Sequence, residues 1–303
     1  MNSGILPIDK PEGPTSAHVV RRVKRILGAR KVGHLGTLDP FASGLLLVGI
    51  NEGTKIAHLF LNAAKSYSGT IALGTETDTQ DLTGKVIATR EVPPLGAAEL
   101  ERLRAAFIGP LRQLPPMYSA LKKQGVPLYR LARQGKDVPR TARDVTIDRL
   151  RLWRIGESEL GLEVSCSKGT YIRTLAADMG ASLGCGAHLK SLRRLTCGHL
   201  DLNGAISLEA LESSADRAAQ ALLPLAKALG PVPKLIVDAA KAARLRAGQQ
   251  GVLWELGLPD TGNGVTGLLD GAGRLVALAQ WVTQGGEGRW QLLRVFAPEE
   301  ADL

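Results

Sequence analysis

The stretch Lys31-Val-Gly-His-Leu-Gly-Thr-Leu-Asp-Pro-Phe-Ala-Ser-Gly-Leu-Leu46 holds one carboxylate, Asp39, in a loop punctuated by Gly33, Gly36 and Gly44. Glycines let the backbone adopt positive φ or pass close to a ligand, and Pro40 biases Asp39 towards an extended conformation. The apolar run at residues 45–50 reads as a buried strand that anchors the loop. Two readings follow: an ordinary Asp-Pro turn between two elements, or a lone acid displayed as a nucleophile.

Working outward, 303 residues suffice for one large domain and a small one, and 44% hydrophobic residues is ordinary for a globular core. The apolar runs are far shorter than a membrane span, and the N-terminus lacks a basic region followed by an apolar block, so a cytosolic protein is expected. Cys166, Cys185 and Cys197 are an odd set, which suits reduced packing thiols better than a disulfide framework. Cys185, His188, Cys197 and His199 invite a metal reading, but Cys-x-His sets two donors closer than the usual zinc spacings, and no metal is expected.

The formal charge of +9 is uneven. Residues 1–229 carry 31 Lys+Arg against 21 Asp+Glu, whereas residues 230–303 carry 7 against 8. Within the first part, residues 121–154 hold ten basic side chains and only three acids, Asp137, Asp144 and Asp148. That segment reads either as a phosphate-gripping surface or as a solvated face.

Residues 4–9 read as a strand, followed by a helix capped at Thr15 or Ser16, with Val19, Val20, Val23 and Leu27 at helical spacing and Gly28 at its end. Further strand patterns fall at residues 67–73, 85–89, 145–155 and 160–165, and helical patterns at 97–107, 126–134 and 171–183. The mixture predicts an α+β fold, without the strand-helix alternation of a doubly wound sheet. Residues 207–229 read as helical with a break near Pro224, and Gly230-Pro-Val-Pro233 as a domain boundary. The remainder suits a compact β-rich module with a helix at 239–247 and turns at Gly262-Asn-Gly264, Asp270-Gly271 and Gly285-Gly286.

The Gly-Thr-Leu-Asp-Pro segment resembles the catalytic motif of the TruB family of tRNA pseudouridine synthases. Further blocks resemble the same family in order: Asp9-Lys-Pro-Glu-Gly-Pro-Thr-Ser16, Lys65-Ser-Tyr67 with Gly74-Thr-Glu-Thr-Asp-Thr79, Pro116-Met-Tyr-Ser-Ala-Leu-Lys122, and Ser167-Lys-Gly-Thr-Tyr-Ile-Arg-Thr174 with Gly184-Cys-Gly-Ala-His188 and Leu192-Arg-Arg194. The tail is similar, more weakly, to a PUA domain. The resemblance implies a mixed, largely antiparallel central sheet flanked by helices (residues 1–229) and a PUA-like RNA-binding domain (230–303).

The resemblance also implies roles. Asp39 is the nucleophile, Arg173 its ion-pair partner, and Tyr67 the active-site tyrosine that stacks on the base and handles a proton. His34 fills the gap left when the target base is extruded, Tyr171 and Leu192 contact the flipped nucleotide, and Lys10 with Pro11 shapes the floor of the site. The implied reaction converts uridine 55 in the T arm of tRNA to pseudouridine, by attack of Asp39 on either the anomeric carbon or the base. No cofactor is implied: the chain has no Gly-x-Gly-x-x-Gly turn after a strand, and Gly84-Lys85 is followed by Val86 and not by the Ser or Thr of a P-loop. The expected partner is the tRNA T-arm stem-loop, with no membrane, no obligate protein partner and a monomeric state. Two rivals are a tRNA-folding chaperone and a synthase for a different RNA uridine; the His-x-Glu and Cys-x-x-Cys pattern of a zinc deaminase is absent.

Overall fold

The computed structural model describes residues 3–258, 264–284 and 287–298. In chain order the main elements of the larger part are β1 (Gly4–Lys10), α1 (Ser16–Leu27), β2 (Val32–His34), β3 (Ser43–Ile50), β4 (Lys65–Leu73), α2 (Ala97–Phe107), β5 (Gly109–Gln113), β6 (Arg143–Arg154), β7 (Glu159–Cys166), α3 (Ile172–Ser182) and β8 (Ala187–Cys197). One sheet takes them in the order β1-β3-β8-β4-β7-β6-β5. All neighbours in that row are antiparallel except β3 and β8, which run parallel through Arg193↔Ser43 and Arg194↔Gly44. The fold is therefore mixed and largely antiparallel, as the family resemblance implied.

The run at 45–50 is continuously apolar because β3 is covered on both faces. Leu46, Val48 and Ile50 point into a core with Leu6, Ile8, Ile71, Leu162, Leu175 and Met179, while Leu45 and Leu47 enter a second core with Ile5 and Phe60. Each such side chain, fully withdrawn from water, contributes roughly 1.5–3 kcal/mol.

Helix α1 begins and ends where local chemistry dictates. The Thr15 hydroxyl accepts from the His18 N–H, and Gly28 closes the helix at φ 57°.

Strand β8, central to the sheet, is an element that the sequence pattern did not reveal. Its residues Lys190, Arg193 and Arg194 break any simple apolar alternation. They are accommodated individually: Lys190 pairs with Glu159, Arg193 with Asp9, and Arg194 donates to carbonyls of the Asp39 loop and of β3. Two further patterns are resolved more finely than expected. The 126–134 helix begins only at Leu128, after Val126–Pro127 bridges to Lys122–Lys123. The 207–229 helix is broken into Leu208–Ser213, Ala215–Ala221 and Leu225–Ala228, with Leu223–Pro224 paired to β1.

The chain continues into β9 (Lys234–Ile236), α4 (Ala239–Arg246), β10 (Gly264–Leu269), β11 (Leu275–Gln284) and β12 (Glu287–Val295), which form a four-stranded sheet. Residues 262 and 263 of the first expected turn, and the Gly285-Gly286 turn, lie outside the described residues. This β-rich module packs on the second face of the large sheet, where Leu269, Leu278 and Phe296 share a core with Ile5, Leu47 and Leu225. Lys55 reinforces the contact by donating to the Val295 carbonyl at 2.8 Å.

Candidate active site

The loop between β2 and β3 is held at nearly every peptide. Ser16 Oγ donates to the Leu38 carbonyl at 2.8 Å and accepts from the Leu38 N–H at 2.9 Å. The Gly13 N–H donates to the Pro40 carbonyl at 2.8 Å, and Arg194 donates to the carbonyls of Gly36 and Thr37. Gly44 is required: at φ +100° a Cβ there would stand 2.3 Å from the Arg194 carbonyl oxygen. Gly33 is different, for it lies in regular strand with only a Thr54 methyl at 3.8 Å, so its expected special geometry is not realised.

At the tip of this loop Asp39 keeps 34% of its side chain open, and behind it Arg173 is 4% exposed. Arg173, in the first turn of α3, donates Nε to Asp39 Oδ2 at 2.9 Å, Nη1 to the Thr79 carbonyl at 2.9 Å and Nη2 to the Tyr118 carbonyl at 2.8 Å. The two residues are 134 positions apart in the chain. Asp81 Oδ2 also stands 3.5 Å from Arg173 Nη1, so the acid that looks solitary in the sequence has a second carboxylate across the same guanidinium.

That arrangement sets the protonation of Asp39. Burial pushes its carboxyl above the ordinary range; the Arg173 charge pulls it back, and Asp81 pushes it up again. The guanidinium expected to favour the ionised form is present, but it offsets desolvation only in part.

Asp39 and Arg173 open onto a cavity of about 300 Å³ that also presents Tyr67, Tyr171, Leu192 and Arg194. That volume lies at the small end of ligand cavities. Tyr67, on β4, is almost fully buried; desolvation drives its hydroxyl up to about 12 against the opposing charge of Arg194, so the phenol is neutral at physiological pH. Tyr171 precedes α3 and is fixed by Gln113, whose Oε1 accepts from the Tyr171 N–H at 3.0 Å while Nε2 donates to its carbonyl at 3.3 Å. Leu192 closes the apolar side of the cavity.

Two residues singled out in the sequence lie outside the lining. His34 ends β2, half-buried; desolvation and the nearby Arg194 lower its pKa, which keeps the imidazole neutral. Lys10 has no exposed surface, and its Nζ donates to the carbonyls of Pro11 at 2.7 Å, Pro14 at 3.0 Å and Pro40 at 3.3 Å. It braces the Asp39 loop from below and is not placed to touch a ligand, because its three donors are already used.

Asp81, Arg194 and Gln113 complete the centre and were not recognised from the sequence. Asp81 follows the quoted Gly74–Thr79 block by two residues, and Arg194 ends the quoted Leu192-Arg-Arg194 run. Leu192 and Arg194 are two apart, which places both on the same face once β8 is known to be a strand.

Against known families, residues 24–172 match the TruB family pseudouridylate synthase N-terminal domain, and residues 173–236 match the tRNA pseudouridylate synthase B C-terminal domain. A tRNA pseudouridine synthase B of Syntrophotalea carbinolica is 42% identical over 97% of this chain and 98% of the relative. The chain belongs to the TruB family. A second TruB protein, from Syntrophobacter fumaroxidans, is 45% identical, with 97% of each chain covered. Among solved structures, one described as a Cbf5-Nop10-Gar1 complex superposes with a TM-score of 0.74 over 97% of this chain and 85% of that one. At 24% identity this shows the shared pseudouridine synthase fold and nothing finer.

Proposed function

We propose that this TruB-family pseudouridine synthase acts on uridine 55 in the T arm of tRNA, with Asp39 as nucleophile. The observation that carries the reading is the Asp39–Arg173 pair, its carboxylate displayed in a cavity between Tyr67, Tyr171 and Leu192. In the proposed reaction the bond between uracil N1 and ribose C1′ breaks, the base turns, and a bond from C5 to C1′ replaces it. The proton leaves C5 and N1 gains one, so the change is an isomerisation. Asp39 supports it from either of two positions, attack at C1′ or attack on the base.

A nucleotide in a folded loop reaches Asp39 only when extruded. Neutral His34, beside the catalytic loop, is assigned to fill the vacated stack, and Tyr171 and Leu192 to hold the extruded base. The exposed arginines of residues 143–154 and the segment 121–142 grip the backbone, and residues 230–303 act as a PUA-like module that adds RNA contact. The enzyme is proposed to work as a monomer in the cytoplasm, without an obligate protein partner. Among the described residues no helix is long and apolar enough to cross a membrane.

The test is tritium release from unmodified tRNA labelled at uracil C5. Release by the native chain and none by Asp39→Ala, with tRNA binding retained, supports the proposal. Equal release by both proteins removes Asp39 from the chemistry, and release from a T arm lacking that uridine removes the site assignment.

A further inference from the structure

Arg194 is 2% exposed, yet it lines the active-site cavity. Its Nε donates to the Leu45 carbonyl at 2.6 Å, Nη1 to the Thr37 carbonyl at 3.1 Å and Nη2 to the Gly36 carbonyl at 3.3 Å. All three acceptors belong to the loop that carries Asp39 or to the strand anchoring it. No carboxylate neutralises this guanidinium among the described residues: Asp39 and Asp81 pair with Arg173, and Asp9 pairs with Arg193. A buried charge held only by carbonyl dipoles acts on whatever else faces it.

What faces it is Tyr67. Arg194 on β8 and Tyr67 on β4 are directly opposed across the antiparallel ladder, so their side chains share a face. An arginine has five N–H donors and no acceptor, and three of these are committed to carbonyls. A phenol turned towards it can only accept, which leaves the phenol's own O–H free to donate to another group at the cavity that Tyr67 lines.

We propose that Arg194 is a positioning residue for pseudouridine formation, one guanidinium that fixes the Asp39 loop and orients the Tyr67 hydroxyl as a donor towards the bound nucleotide. The inference rests on the synthase reading. Its effect runs through Tyr67, which separates it from a role in folding alone.

The experiment is a double-substitution cycle in single-turnover tritium release, using the native chain, Arg194→Lys, Tyr67→Phe and the double variant, with tRNA affinity measured for each. Lysine keeps the charge but, as a compact ammonium, does not span three carbonyls. Arg194→Lys is expected to slow the single-turnover rate tenfold or more with tRNA affinity within twofold, and to slow the Tyr67→Phe protein by at least threefold less than it slows the native one. Arg194→Gln, which lacks the charge but keeps an amide donor, should show the same non-additivity. Factors that simply multiply in the double variant would overturn the proposal. So would failure of both Arg194 variants to bind tRNA, since the residue would then serve the fold alone. An inactive native chain, in contrast, would strike down the synthase reading itself.

Discussion

Replacing Arg173 by Gln removes the guanidinium that bridges Asp39 and Asp81 and leaves two carboxylates facing the same small volume. The native Asp39 carboxyl is already raised by burial, with Arg173 as the main opposing influence. An adjacent arginine favours the ionised carboxylate, so without Arg173 burial and the Asp81 charge hold the Asp39 proton to higher pH. The acid limb of kcat/KM should therefore move towards neutral pH. Wherever the assay pH lies below the new pKa, each unit costs about tenfold in the ionised nucleophile. The stability of the fold should fall as well, by less than the roughly 3–5 kcal/mol of a fully buried pair, because the Asp39 side chain is one-third open to water. The sign with pH follows from linkage: a carboxyl raised in the folded state holds its proton there and loses it first in the unfolded state. The deficit of the variant against the native chain is thus largest above the folded pKa and shrinks as pH falls through it. Tritium-release profiles from acid to neutral pH, with urea unfolding at both ends, read both effects. An acid limb that stays in place or moves to lower pH would refute the reasoning, since Arg173 would not then control Asp39.

Three other outcomes are expected. Gly44→Ala should destabilise the protein by more than the roughly 1–3 kcal/mol of left-handed backbone strain, because its Cβ also meets the Arg194 backbone, whereas Gly33→Ala should stay within about 1 kcal/mol; urea midpoints compare them. Burial lowers Lys10 to about 8 from 10.5, so between those values the unfolded chain binds the extra proton; native stability relative to Lys10→Met should rise with pH across that window, by no more than about 3 kcal/mol, as followed by denaturant titration. If Lys122 and Arg143, which line one concavity of the basic segment, touch tRNA phosphates, changing both to Ala should flatten the plot of log affinity against log salt by about 1–2 units; an unchanged slope would remove them from the interface.

Much of this protein is local and therefore legible from one chain. Thr15 caps α1 and Gly28 ends it because capping is settled within a few residues, and the apolar run of β3 shows at once because both faces of that strand are covered. The glycine-punctuated loop marked Asp39, and the accompanying motifs singled out Tyr67, Tyr171, Arg173 and Leu192, which the fold gathers around one cavity. Pattern reading failed where a residue's partner is distant in sequence. Strand β8 looks too charged to be central, yet Lys190 and Arg193 stay partly in water beside Glu159 and Asp9, and only Arg194 is buried, where the Gly36, Thr37 and Leu45 carbonyls of other elements receive it. Asp39 looks solitary until the chain closes and sets Asp81 across Arg173 from it. Lys10, expected to shape the floor of the site, does so through bonds no local pattern shows: its ammonium donates to the Pro11, Pro14 and Pro40 carbonyls. Residue types and short-range spacing marked the Asp39 loop, and the motifs shared with the TruB family marked the groups proposed to act with it. Desolvation and long-range pairing, which exist only once the sheet has formed, decided the protonation of those groups, their orientation and which of them line the cavity.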